Sequence, residues 1–116
     1  MALAQAGGKT YSNTALTEVK VGAFSGACLV FNFVCFNPDA SSTTFVQFFD
    51  LASADVTVGT TTPTFVLALG PKDGVVLGLT CPRRFRTAVT IACTATATGA
   101  GAPATAGVVS FDYVGG

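Results

Sequence analysis

Short apolar or alternating runs recur along the whole chain, separated by clusters of Gly, Pro, Asn, Asp and Ser. That is the pattern of an all-β sandwich or barrel, and no helical period of any length competes with it. Strands are predicted over residues 16–22, 27–36, 43–51, 55–58, 64–69, 74–80, 86–96 and 107–114. The breaks have local causes. Asn37, Pro38 and Asp39 end the second run, Gly59 through Pro63 form a turn, and Gly70 through Gly74 make a tight connection closed by a permissive glycine. Eight short segments without helices predict an all-β fold of two packed antiparallel sheets, a β-sandwich of jelly-roll or immunoglobulin-like topology. Residues 16–116 form one domain. Residues 1–15, polar and small, are expected to form an extended N-terminal arm.

The faces of the strands carry the next inference. In 86–96, Val89, Ile91 and Cys93 share one face, the predicted core, while Arg86, Ala88, Thr90, Ala92 and Thr94 share a small, threonine-rich face expected at the surface. In 27–36 the alternation fails. Leu29, Phe31, Phe33 and Cys35 occupy one face, and Cys28, Val30, Val34 and Phe36 occupy the other, around Asn32. The run 43–51 behaves likewise, with Phe45, Phe49 and Leu51 opposed to Val46 and Phe48. Both faces of these strands call for burial, yet a two-sheet sandwich has one interior. The second faces are expected to be covered by another chain or by the folded-back amino terminus, with long loops as the alternative cover. Val30, Val34, Phe36, Val46 and Phe48 are the expected oligomer interface.

Composition sharpens this. The chain of 116 residues is 50% hydrophobic and only 10% charged, with six basic and six acidic side chains, against about 25% charged residues in an ordinary soluble domain. A neutral chain lacks the basic excess that drives binding to nucleic acid or to an anionic membrane surface, so neither is expected as a partner. The apolar stretch from Ala23 to Phe36 spans 14 positions and is interrupted by Ser25, Gly26 and Asn32, short of the roughly 18 residues that a spanning helix needs. The first residues carry no secretory pattern, so the chain is expected to be made in the cytoplasm of whatever cell makes it. Cys28, Cys35, Cys81 and Cys93 are separated by six, 45 and 11 residues. No zinc or CxxC spacing is present, so reduced, mostly buried thiols are expected, with a disulfide as the alternative.

Catalytic constellations are scarce. The chain has no histidine, hence no imidazole to activate a nucleophile. Of the carboxylates, only Asp50 and Asp55 are near neighbours. No nucleophile elbow or phosphate-binding loop occurs. No enzyme activity, cofactor or metal is expected. Arg83, Arg84 and Arg86 form the one charge cluster; they suit either an electrostatic anchor onto an acidic partner or a solvated start of a strand that blunts a sheet edge.

The stretch FVQFFDLASADVTVGTTTPTFVLALG, residues 45–70, followed by Thr94–Thr98, Ala102–Ala104 and a last strand near Tyr113, resembles a pattern in small virion proteins of tailed bacteriophages. The resemblance implies a small β-sandwich that coats or reinforces a particle, with no catalytic residues to carry over. It points to a capsid decoration or cement protein on the virion surface, a dimer or trimer that bridges subunits of the major capsid protein, with Arg83, Arg84 and Arg86 as the capsid contact. A tail, neck or fibre component is the alternative. A carbohydrate-binding module is a weaker one, since the chain has no Trp and only Tyr11 and Tyr113.

Overall fold

The computed structural model describes residues 9–78 and 82–115. Nine strands occur among them: β1 (Lys9–Leu16), β2 (Val21–Ser25), β3 (Cys28–Phe36), β4 (Thr44–Phe49), β5 (Phe65–Leu69), β6 (Gly74–Leu77), β7 (Arg83–Phe85), β8 (Ala88–Thr94) and β9 (Gly107–Gly115). The first sheet runs β1-β9-β3-β6, with β7 also paired to β3, and the second runs β2-β8-β4-β5. Every pairing is antiparallel. β6 lies opposite Phe33–Phe36 and β7 opposite Cys28–Val30, so the two share one edge of β3 end to end.

The order follows from a nested ribbon. β4 pairs with β5, β3 with β6 and β7, β2 with β8, and β1 with β9. The chain is thus a long hairpin whose tip is the β4–β5 connection, and the hairpin is wound so that successive pairs alternate between sheets. That winding is the jelly roll. It decides against the immunoglobulin-like order, which keeps its first two strands in one sheet.

The core fills the space between the sheets. Val30, Phe33, Cys35, Val109 and Phe111 from the first sheet meet Val46, Phe48, Leu69, Val89, Ile91 and Cys93 from the second. Aromatic rings hold its centre. Phe48 stacks on Phe65 at 4.4 Å and 8°, and Phe33 meets both edge-on, at 5.5 and 6.0 Å. Burying each such ring contributes about 1.5–3 kcal/mol.

β3 departs from strict alternation, and a single residue is responsible. Asn32 has φ 54°, and the register with β9 slips by one between Phe31 and Val34. This is a β-bulge, and one inserted residue exchanges the two faces beyond it. Cys28 and Val30 face the core before the bulge, and Phe33 and Cys35 face it afterwards. Asn suits the position because its short polar side chain tolerates the left-handed region, and its Nδ2 donates to Asp112 Oδ2 at 2.9 Å.

The expected oligomer interface is corrected accordingly. Val30, Val46 and Phe48 are core residues with no exposure, whereas Val34 and Phe36 stand 43% and 38% exposed. For Val30 the bulge is the reason. For Val46 and Phe48 the two faces of β4 are both apolar, and the pattern did not fix which one turns inward.

Loops cover the other face of β4 and β8. The connection from 50 to 64 contributes the fully buried Val56, and Leu51 O accepts from Thr90 Oγ1 at 2.8 Å. Gln47 Nε2 reaches the second loop, donating to Thr94 Oγ1 at 2.7 Å and Gly99 O at 3.0 Å. Thr90, Ala92 and Thr94, expected at the surface, are therefore fully buried. The strand expected over 55–58 is instead loop that follows a 3-10 turn at Ser53–Asp55. The strand expected over 16–22 is divided: residues 17–20 are the crossing from β1 to β2, where Thr17 O accepts from Cys93 N at 2.9 Å. From Lys9 onward the expected arm is the edge strand β1, paired with β9; residues 1–8 and the end of the 74–80 segment lie outside the described residues.

One corner is held by two side chains. Asn37 Nδ2 donates to Ser42 O, Leu69 O and Gly70 O at 2.8, 3.1 and 3.0 Å. Asp39 accepts from Thr105 Oγ1 and from the backbone N–H of Ser41 and Ser42, at 2.7, 3.0 and 2.7 Å. The Thr105 hydroxyl and then those N–H groups hold the Asp39 carboxyl down at about 2, against an ordinary 3.8.

Two outcomes follow for stability. Asn32→Val forces a β-branched residue into the left-handed region and destabilises by about 1–2 kcal/mol, while Asn32→Gly keeps the bulge geometry and loses less. Urea unfolding at pH 7 measures both. Because the folded-state pKa of Asp39 is depressed, its contribution is complete above the unfolded value and is lost as pH falls from about 4 toward 2. Thermal unfolding across that window therefore declines less steeply for Asp39→Asn than for the parent chain.

Candidate functional site

The outward face of the first sheet presents the largest exposed apolar side chains on strands. Val34 and Val76 are ladder partners, and Phe36 lies opposite Gly74 on one side and Val108 on the other. Val76 is 75% exposed. Gly74 lets the chain fit here, since a Cβ on it would lie 3.0 Å from Cys35 O and 3.5 Å from Phe36 Cδ1. The row Val34, Phe36, Val76 is thus held by ladder hydrogen bonds on a rigid surface and needs no ordering before contact. Val34 and Phe36 were expected at an interface. Val76 was not singled out, although the run Gly74–Leu77 has no polar residue at the alternate position that would mark a solvated face.

The arginine cluster is separated by the fold. Arg83 and Arg84 are consecutive on β7 and point to opposite faces. The Arg83 guanidinium lies 4.7 Å from the centre of the Phe65 ring, a cation–π contact at the margin of the sandwich. Arg86 follows the strand beside Asp50, whose carboxylate accepts from the backbone N–H of Arg86, Thr87 and Ala88 at 2.9, 2.8 and 3.3 Å. Burial pushes the Asp50 carboxyl up, but these three bonds and the Arg86 charge outweigh it and leave the group below its ordinary value. Asp50 therefore serves the β7–β8 turn, and Asp55 is exposed in the 3-10 turn. Arg84, on the outward face, and Arg86, just past the strand, are both exposed.

Other sites are small or closed. A depression of about 210 Å³ between β2, β8 and the 3-10 turn is lined by Gly22, Phe24, Ser25, Ser53, Ala88 and Thr90, among other small residues. It carries no ionisable side chain and is smaller than the roughly 300 Å³ at which ligand pockets begin. Among the described residues no group of three or more Cys, Asp or Glu is placed to hold a metal, and no helix is long and apolar enough to cross a membrane. Cys28, Cys35 and Cys93 are buried free thiols; Cys81 lies outside the described residues. Burial, then the neighbouring Cys93, pushes the Cys35 thiol up to about 12. Burial also raises Cys28, with the Asp50 charge adding to it, and raises Cys93.

Comparisons with protein-family models, curated proteins and solved structures find no match.

Because the thiolate is the reactive form, Cys28, Cys35 and Cys93 will resist a maleimide label at pH 7.5 in the folded chain and take it in urea. Peptide mass mapping of the two samples checks this. Labelling of Cys35 under native conditions would contradict its burial.

Proposed function

We propose that this chain is a structural virion protein, a capsid decoration or cement protein that binds a phage head as a small homo-oligomer and bridges subunits of the major capsid protein. The observation that carries the reading is the exposed row Val34, Phe36 and Val76 on rigid strands. The loops after β4 and β8 have buried the outer face of the second sheet, yet these apolar side chains on the first sheet are left in contact with solvent. An apolar surface of this kind suits a subunit of an assembly better than a free monomer. The resemblance of residues 45–70, 94–98 and 102–104 and of the last strand near Tyr113 to small virion proteins of tailed bacteriophages supports the same reading. So does the charge content of 10%, which leaves little to keep such a surface apart from its neighbours.

The mechanism is geometric. Apolar area buried between copies and onto the shell contributes about 25 cal/mol per Å² before association costs. Repeated over many copies, these contacts oppose displacement of neighbouring capsid subunits. Within the anchor expected at Arg83, Arg84 and Arg86, Arg83 lies over Phe65, while Arg84 on the outward face and Arg86 just past the strand are exposed.

Cryo-electron microscopy of the particle whose genome encodes the chain tests the reading. Density of jelly-roll shape repeating on the capsid lattice is expected, and it will disappear from particles that lack the gene. Density confined to the tail, neck or fibre would replace the cement reading with that alternative.

A further inference from the structure

The edges of the two sheets differ in how they are protected. An unpaired edge strand offers a template for another strand, and proteins blunt such edges with charges, bulges or covering groups. β1 carries Lys9 and a register break between Asn13 and Leu16. β2 has a break between Gly22 and Phe24. β7 carries Arg83 and Arg84, and Arg83 lies over Phe65 at the start of β5. β6, with the sequence GVVL, has no charge, no proline and no break in its pairing with β3. Among the described residues no strand lies on its other side.

Charge says which strand fits this edge. Asp73 stands immediately before β6, and Asp39 joins it at the same corner, where Lys72 N donates to Asp39 O and Asn37 N to Asp73 O, both at 2.9 Å. The Lys72 ammonium offsets one of these two carboxylates. Arg83 and Arg84 lie beyond the other end, on the same edge of β3. The edge is therefore acidic where β6 begins and basic past its end. A second copy running antiparallel alongside it sets each acidic corner against the partner's basic one.

We propose that the β6 edge is a two-fold interface at which a second copy of this chain adds its own β6, joining the first sheets of two protomers into one continuous sheet. The register follows from strand geometry. Directly opposite residues of an antiparallel pair share a face, so the two-fold axis passes through a residue and its own counterpart. Centring it on Val76 places the two most exposed apolar side chains of the face against each other, with Val34 and Phe36 of each copy flanking them. This deepens the homo-oligomer part of the proposed function and does not depend on the capsid part.

Purified chain in solution tests it. Light scattering behind size exclusion is expected to give twice the 11.7 kDa chain mass, and Val76→Lys to raise the dissociation constant by about tenfold or more. Asp73→Arg and Arg84→Asp are each expected to weaken the dimer, and the two together to restore it. In a Cys81→Ser background, Val76→Cys with oxidised glutathione is expected to form a disulfide dimer. Two thiols then become one disulfide and two glutathione thiols are released. Val19→Cys, exposed on the β1–β2 crossing, serves as the control and is expected to form no disulfide-linked dimer. A monomeric parent chain, a trimer, or equal crosslinking of the two cysteine variants would overturn the two-fold. A dimer in solution without density on the head removes only the capsid reading, and a monomer that still coats the head removes only the two-fold.

Discussion

The left-handed backbone at Asn32 is the constraint on which the rest of the molecule depends. It is one residue in the middle of the central strand of the first sheet, with β9 on one side and β6 and β7 on the other. By exchanging the faces of β3 it turns Phe33 inward, and Phe33 is the ring that meets Phe48 and Phe65 of the second sheet and Phe111 of the first. The same exchange turns Val34 and Phe36 outward. Core and exposed patch are thus two results of one conformation. Asp112 secures it, accepting from Asn32 Nδ2 through one oxygen and from Thr10 Oγ1 through the other, so the edge strand β1 is tied to the same point.

A jelly roll of this size must send the chain across from one sheet to the other several times, and each crossing leaves backbone groups without ladder partners. Single polar side chains satisfy them here. Asn37 serves three carbonyls at the β5–β6 corner, Asp50 serves three amides before β8, and Gln47 ties the loop after β8 to the outer face of β4. The arrangement is not fully satisfied, since Gln47 Oε1 and Thr44 Oγ1 are buried without a partner. Such groups typically cost about 1–3 kcal/mol each. The few charged residues are spent mostly on corners, which is why so few are left for the strand faces.

The strand content was legible because period-two runs bounded by turn residues survive in sequence, and the inward face of β8 was legible because Val89, Ile91 and Cys93 stand opposite small residues. What failed had a common cause. Where both faces of a strand are apolar, as in β3 and β4, alternation names two faces without ordering them. An Asn in such a run signals a bulge only if its backbone conformation is known. The burial of Thr90 and Thr94 was hidden for a related reason: their cover comes from loops far away in sequence, and nothing local marks a threonine as covered. The arginine cluster misled by adjacency. Neighbours on a strand diverge, so three charges within four positions were divided between the Phe65 ring, the outward face and the turn beyond the strand.

The low charge content acquires a physical meaning from where the charges sit. Within strands the described charged residues are Lys9, Arg83, Arg84 and Asp112, and β2, β3, β4, β5, β6 and β8 have none. Strand charges would protect edges and faces from contact with other chains. Turn charges act mainly on their own corner, as Asp39 and Asp50 do through backbone amides. A chain that places most of its charges in turns is stabilised by them without being kept apart from its neighbours. The neutral strands are then free to meet an apolar surface, and the strand charges on the β6 edge, Arg83 and Arg84, lie past the end of β6, where they are placed to orient an approaching strand without obstructing it.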